Sequence, residues 1–127
     1  MPNATLEHVN ITVSDPAATA RWMERVFGWH VRWEGPAISD GYTVHVGDAD
    51  RYVALYSPGA PKAAVGSSYA HVGGFNHLAI VVDDLDATER LVEAEGFAPR
   101  SHADYEPGRR FYFNDRDGIE VEVVSYD

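Results

Sequence analysis

The chain has 127 residues and a formal net charge of −10, and it contains no cysteine. This length is enough for one domain with a buried core. The acidic charge argues against nucleic acid as a partner, because phosphate recognition needs a basic face. Without cysteine there are no disulfides and no sulfur-ligated metals, so any bound metal must use histidine and carboxylate ligands.

The first half of the chain is typical of a β-α-β-β-β unit. Polar and apolar residues alternate over residues 5–13, which predicts a strand with one apolar face. Asp15 then indicates a helix N-terminus, apolar residues at helical spacing predict a helix over residues 16–27, and Gly28 ends it. A turn is expected at Gly35-Pro36. Three short strands complete the unit, at residues 29–34, 42–46 and 51–56.

The second half repeats the first. The stretch HVNITVSD from His8 reappears as HLAIVVDD from His77, 69 positions later. A repeat of this kind indicates two copies of one supersecondary unit, and each copy has a histidine at the same place in its first strand. The predicted elements of the second copy are a strand over residues 75–82, a helix over 85–95, and strands over 97–101, 110–114 and 119–126.

The predicted organisation is a single α+β domain over residues 1–127, with two β-α-β-β-β modules that form a cupped mixed sheet. Module one is expected at residues 4–57 and module two at 75–127. Residues 58–74, rich in Gly, Ala, Pro and Ser, are interpreted as a linker. One helix covers only one face of its sheet, so the other face must line a cleft or meet a second unit.

Polar side chains concentrate on these uncovered faces. His8 lies on the first predicted strand, His77 on the fifth, and Glu120 and Glu122 share one face of the last. A carboxylate that faces two histidines needs a cation or a strong donor. Two imidazoles and one carboxylate form the facial triad of non-haem Fe(II) oxygenases and also suit Mn, Ni, Co or Zn. Such a triad leaves open positions at which the metal can act as a Lewis acid.

The two repeated units, the first-strand histidines and the ending Asp-Arg-Asp-Gly-Ile-Glu-Val-Glu resemble the vicinal oxygen chelate superfamily. That group includes glyoxalase I, extradiol dioxygenases, methylmalonyl-CoA epimerase, and the fosfomycin and bleomycin resistance proteins. The resemblance implies that His8, His77 and Glu122 hold one divalent ion (Fe, Mn, Ni, Co or Zn). The place of a fourth ligand falls near Ala54, and alanine cannot ligate.

The resemblance also implies roles beside the metal. The order His102, Tyr112, acidic turn and Glu122 is similar to that of extradiol dioxygenases, so Tyr112 and His102 are expected to move protons. Asn10, two positions after the first ligand, and Arg110, whose guanidinium can hold a carboxylate or phosphate, are expected to contact substrate. No histidine stands at residues 51–53, where ring-cleaving dioxygenases have their acid–base group.

Three functions follow from these patterns. The first is a metal-dependent enzyme whose small substrate chelates the ion through vicinal oxygens. Dioxygenase-like chemistry is favoured for it, with isomerisation, lyase chemistry and epoxide addition also open. The second is a non-catalytic protein of the bleomycin-resistance type, which sequesters a drug or metabolite. The net negative charge and the many aromatic residues of the chain are compatible with binding a cationic, planar compound. The third is a protein–protein adaptor.

The sequence also bears on cellular location and on assembly. The N-terminus lacks the pattern of a signal peptide, and no apolar run approaches the length of a membrane helix, about 18 residues. The expected location is therefore the cytoplasm, with no membrane partner. A homodimer is expected. If its chains exchange modules, His8 of one subunit would join His77 and Glu122 of the other.

Overall fold

The structure is a computed structural model that describes residues 2–105 and 108–126. The chain divides into two compact units, Met1–Ala63 (unit one) and Ala64–Asp127 (unit two). The boundary falls within the segment 58–74 that was interpreted as a linker. In the part of the chain that the structure describes, each unit has one α-helix and one four-stranded mixed sheet, so the predicted α+β class and the two β-α-β-β-β modules are confirmed.

Unit one follows the predicted order of elements. Its helix is initiated by Asp15, whose side chain accepts a hydrogen bond from the backbone N–H of Ala18 at 3.1 Å, and ends at Gly28 with φ of 71°. Both caps agree with the prediction. The sheet order is β1-β4-β3-β2, with β1 and β4 parallel and the other pairs antiparallel. The elements are β1 (His8–Thr12), α1 (Pro16–Phe27), β2 (His30–Ala37), β3 (Gly41–Gly47) and β4 (Tyr52–Ser57).

The turn predicted at Gly35-Pro36 is wrong. Strand β2 continues through both residues, and the chain reverses at Ser39 and Asp40, whose φ angles are 58° and 55°. The proline is tolerated because β2 is an edge strand, where a missing N–H need not interrupt a ladder of hydrogen bonds. The backbone N–H of Gly41 donates to the carbonyl of Ile38 at 3.0 Å and closes the actual turn.

Unit two repeats this topology with the sheet order β5-β8-β7-β6. It differs from the prediction in its 3₁₀ turn and in two strands. The 3₁₀ turn at Ser68–Ala70 lies within the expected linker, β6 spans Arg100–Tyr105 rather than 97–101, and β7 begins at Gly108 rather than at residue 110. Phe97 instead stacks on Phe113, with ring centroids 5.7 Å apart. The elements are β5 (His77–Val81), α2 (Leu85–Ala94), β6 (Arg100–Tyr105), β7 (Gly108–Asn114) and β8 (Glu120–Ser125).

Each unit buries the sheet face that its own helix covers. The side chains there are apolar and fully buried, for example Val44 and Leu55 in unit one and Phe111 and Val121 in unit two. Side chains alternate along a strand, so the intervening residues lie on the opposite face, which we call the open face of each unit. Among the described residues, no helix is long and apolar enough to span a bilayer.

Candidate functional site

The register of parallel strands β5 and β8 brings the polar residues of unit two together. His77 lies beside Glu120, and Ala79 lies beside Glu122. On the other side of β8, Tyr112 of β7 lies beside Glu122. These side chains therefore share the open face of unit two, as the alternation in the sequence predicted for the two glutamates.

The corresponding register in unit one explains why that unit offers fewer ligands. His8 lies beside Tyr52, and Asn10 lies beside Ala54. Ala54 therefore occupies the place that Glu122 has in unit two. An alanine there leaves His8 without a neighbouring carboxylate on β4.

Glu122 is the most constrained carboxylate of the open face, since only 7% of it is exposed. Its Oε1 atom lies 3.2 Å from Nε2 of His77, and its Oε2 atom accepts a hydrogen bond from Nη1 of Arg110 at 2.8 Å. The guanidinium compensates the charge of the carboxylate, which would otherwise be costly to bury. Each carboxylate oxygen is thus committed to a different neighbour.

The second nitrogen of His77 faces another carboxylate. Its Nδ1 atom lies 3.1 Å from the hydroxyl of Tyr69 and 3.3 Å from Oε1 of Glu120. The Tyr69 hydroxyl donates to the same Glu120 oxygen. Glu120 Oε2 accepts from Nη2 of Arg100 at 2.8 Å. His77 therefore stands between two glutamates, one at each ring nitrogen.

Electrostatics keep Glu120 ionised and Tyr69 protonated at neutral pH. Burial raises the pKa of Glu120, but the hydrogen bonds from Tyr69 and Arg100 outweigh it, so the pKa is lowered overall. The hydrogen bond to Glu120 is the main cause that raises the pKa of Tyr69. The proton shared by this pair accordingly belongs to the tyrosine.

The distance between His77 and Glu122 fits a bound cation. Nitrogen and oxygen ligands bind zinc and similar metals at about 2.0–2.2 Å, so neighbouring ligand atoms lie about 3 Å apart. The separation of 3.2 Å between Nε2 and Oε1 agrees with this value. Within either unit, the described residues contain no group of three or more histidine or carboxylate side chains that could hold a metal. In unit two, His77 and Glu122 therefore form a pair and not a set of three.

His8 has a carboxylate at the same ring position as His77. Its Nδ1 atom lies 2.8 Å from Oε1 of Glu7, which points its Nε2 atom elsewhere. The ring stacks on Tyr52 at a centroid distance of 4.7 Å, and Tyr52 stacks on His45 at 4.6 Å. In both units the first-strand histidine therefore has its Nδ1 atom next to a glutamate.

An arginine lies against the ring stack of unit one. The guanidinium carbon of Arg32 lies 4.7 Å above the ring of Tyr52. Burial lowers the pKa of His45, the neighbouring His8 and Arg32 lower it further, and Glu7 opposes them.

The two residues predicted to move protons lie on opposite faces of the unit-two sheet. Tyr112 is on the open face, where its ring meets His77 edge-on at 5.8 Å. His102 contacts both carboxylate oxygens of Glu89, a residue of α2, at 3.0 Å and stacks on the buried Phe111. A register shift between Arg100 and Ala103 causes this, because one extra residue reverses the side on which the next side chains point.

The two residues that were predicted to contact substrate lie in different units. Arg110 contacts Glu122, as described above, and Asn10 is exposed on β1 of unit one.

Sequence reasoning missed Tyr69. Its one signal was that it is the only Phe, Trp or Tyr in residues 58–74. That signal is weak, because single aromatic residues are common on protein surfaces and Tyr69 is 60% exposed.

A family model of the Glyoxalase/Bleomycin resistance protein/Dioxygenase superfamily matches residues 5–123. The chain belongs to this superfamily. The resemblance inferred from the repeat, the first-strand histidines and the acidic ending is therefore confirmed. No curated protein matches the chain by sequence.

Solved structures of this superfamily share the fold over nearly the whole chain. The glyoxylase/bleomycin resistance protein/dioxygenase domain from Frankia sp. EAN1pec has a TM-score of 0.84 and 20% identity, covering 99% of this chain and 94% of that one. The fosfomycin resistance protein FosX from Listeria monocytogenes, complexed with Mn(II) and sulfate ion, has a TM-score of 0.75 and 17% identity, with coverages of 98% and 93%. FosX from Mesorhizobium loti has a TM-score of 0.74 and 24% identity, with coverages of 97% and 92%.

Proposed function

We propose that the chain binds one divalent metal ion through His8, His77 and Glu122. The observation that carries the proposal is the separation of 3.2 Å between Nε2 of His77 and a buried oxygen of Glu122. The lone pair of an unprotonated Nε2 and the carboxylate oxygen can both point at one cation at this separation. Superfamily membership and the Mn(II) complex of FosX favour a metal as that cation.

The proposed substrate is a small molecule that chelates the metal through vicinal oxygens. Two imidazoles and one carboxylate suit Fe, Mn, Ni, Co or Zn, and a bound ion would act as a Lewis acid on the chelated oxygens. Tyr112, beside Glu122 on the open face, is the proposed proton donor or acceptor. The ligand set and Tyr112 favour dioxygenase-like chemistry. The catalytic role of His102 and the substrate contacts of Asn10 and Arg110 stay predictions from the resemblance.

A second candidate is a non-catalytic binder of the bleomycin-resistance type. The ring stack of unit one favours it, because Trp33 is 53% exposed and its ring lies 5.2 Å from that of His45. An exposed indole beside stacked rings could contact a planar ligand. This candidate needs no metal, so metal content separates it from the enzyme.

Metal content tests the proposal directly. We expect about one transition-metal ion per chain after purification without chelator or affinity metal, measured by elemental analysis. His77→Ala and Glu122→Gln should lose it, whereas His30→Ala, a change of an exposed histidine on β2, should retain it. A metal-free wild type that also ignores added Fe, Mn, Ni, Co and Zn would refute the metal centre and favour the binder.

We also propose that the protein works as a cytoplasmic homodimer. A dimer with exchanged modules would combine His8 of one chain with His77 and Glu122 of the other. The near-identical placement of the two first-strand histidines in their units supports a common ligand role for both.

A further inference from the structure

The hydroxyl of Tyr69 contacts both Glu120 and His77. The hydroxyl donates to Oε1 of Glu120 and is 3.1 Å from Nδ1 of His77. A phenol has only one proton to donate, so Tyr69 must accept at its second contact. The donor in that contact is therefore the Nδ1–H group of His77.

This proton position is the one that a ligand at Nε2 requires. With its proton on Nδ1, a neutral His77 has the lone pair on Nε2, the atom that lies 3.2 Å from Oε1 of Glu122. Histidines that bind metals commonly donate their other N–H group to a nearby acceptor, which sets both tautomer and ring orientation. Tyr69 takes that acceptor role here.

Glu120 keeps Tyr69 in its accepting role. Its Oε2 atom is held by Arg100 at 2.8 Å, and the same guanidinium nitrogen donates to Oδ1 of Asn114 at 2.6 Å. The carboxylate is thereby oriented with Oε1 toward Tyr69. A carboxylate can only accept from the tyrosine hydroxyl, so the direction of both hydrogen bonds is fixed.

We propose that Tyr69 is a positioning residue of the metal centre, which holds the proton of His77 on Nδ1 and leaves Nε2 available to bind a metal beside Glu122. The inference rests on the proposed function. It gives the segment 58–74, interpreted from composition as a linker, a part in the site. Tyr69 acts through His77 and is not assigned contact with substrate.

Glu120→Gln is the sharpest test, because it keeps the shape and reverses the hydrogen bonds. Arg100 donates to the amide oxygen, so the amide NH₂ group faces Tyr69 and donates to it. Tyr69 must then donate to Nδ1 of His77, which moves the histidine proton to Nε2. We expect nitrogen NMR of metal-free protein, recorded where the His77 signals report the neutral ring, to show this reversal. Affinity for Mn(II) should fall about 10- to 100-fold.

Tyr69→Phe provides a second, independent variant. It removes the acceptor without placing a donor near His77, so we expect a mixture of tautomers and a smaller loss of Mn(II) affinity than in Glu120→Gln. The loss is limited because Oε1 of Glu120 already lies 3.3 Å from Nδ1. Thermal unfolding followed by circular dichroism should show that both variants are folded.

Unit one contains a matched control. The hydroxyl of Tyr42 donates to Oε1 of Glu34 at 2.7 Å, which makes a tyrosine–glutamate pair of the same kind. Glu34→Gln should leave both the tautomer of His77 and the affinity for Mn(II) unchanged. A control with the same losses as Glu120→Gln would overturn the inference.

Two further outcomes would overturn it. One is a wild-type His77 that carries its neutral-state proton on Nε2. The other is a Glu120→Gln variant with the wild-type tautomer and wild-type Mn(II) affinity. A wild type that binds no metal would refute the proposed function instead, and the tautomer measured in the metal-free protein would still decide the position of the proton.

Discussion

At the scale of single residues, the open face of unit two is organised by matching each charge with a partner. Glu122 contacts Arg110 and His77, and Glu120 contacts Arg100 and Tyr69. Because Glu122 is nearly buried, the cost of removing its charge from water is offset by the guanidinium beside it. The same arrangement leaves one oxygen of each glutamate directed at His77.

We therefore predict that Glu122→Ala destabilises the protein. The change removes the carboxylate that contacts the guanidinium of Arg110, whose side chain is 15% exposed. The expected loss is about 1–3 kcal/mol in the free energy of unfolding, measured with urea and circular dichroism. Glu122→Gln keeps an oxygen for Arg110 and should cost less.

Glu93→Ala, on the exposed surface of α2, is the control and should stay within about 0.5 kcal/mol of the wild type. If Glu122→Ala is as stable as this control, the ion pair with Arg110 contributes nothing to the folded state.

At the scale of secondary structure elements, local irregularities decide which side chains reach the open faces. The register shift in β6 is accompanied by Ser101 at φ of 56° and turns His102 toward Glu89 of the helix. In unit one, Arg32 lies within a comparable shift of β2, and its guanidinium covers the ring of Tyr52. A bulge on the edge strand thus re-aims one cationic or titratable side chain in each unit.

The hairpin between β2 and β3 contains backbone strain that can be tested by substitution. Ser39 and Asp40 both have positive φ, which Asn-Gly adopts more readily than Ser-Asp. Replacing the pair with Asn-Gly should raise the free energy of unfolding by about 0.5–1 kcal/mol, measured by urea unfolding.

Asp50→Gly is the comparison, since Asp50 does not have a positive φ. It should lower the stability, because glycine adds only freedom to the unfolded chain there. If the Asn-Gly replacement and Asp50→Gly both raise the free energy of unfolding, the positive φ angles are not the cause of the stabilisation.

At the scale of the whole molecule, the proposed metal would couple the two units through their ligands. A ligand that binds only the folded state stabilises it by about 2.7 kcal/mol at 100 times its Kd. We expect Mn(II) at such an excess to raise the Tm of the wild type in thermal unfolding. His8→Ala and His77→Ala should each abolish most of this shift, while His30→Ala should retain it.

If Mn(II) raises the Tm of His8→Ala as much as that of the wild type, unit one supplies no ligand. The role assigned to His8 would then be wrong. Mixing His8→Ala with His77→Ala after refolding distinguishes the two kinds of dimer. Exchanged modules restore one intact site in each mixed dimer, whereas modules paired within one chain restore none.

Much of the fold could be predicted because its signals are local. The strand alternation, the aspartate caps and the left-handed Gly28 depend on a few neighbouring residues. The repeat then extended each local pattern to a second copy. The turn at Gly35-Pro36 was misplaced because a proline on an edge strand looks, in sequence, like a proline in a turn.

Some features of the candidate site could likewise be predicted from the sequence, and others could not. The sequence alone determined which face of each strand carries His8, His77, Glu120 and Glu122, because side chains alternate strictly along a strand. Only the tertiary structure decided that Arg110 contacts Glu122, that Tyr69 reaches His77 and that His102 turns to the helix. These contacts depend on the register between strands, on one bulge and on the path of residues 64–76, which are set by packing over distances that no short sequence pattern spans.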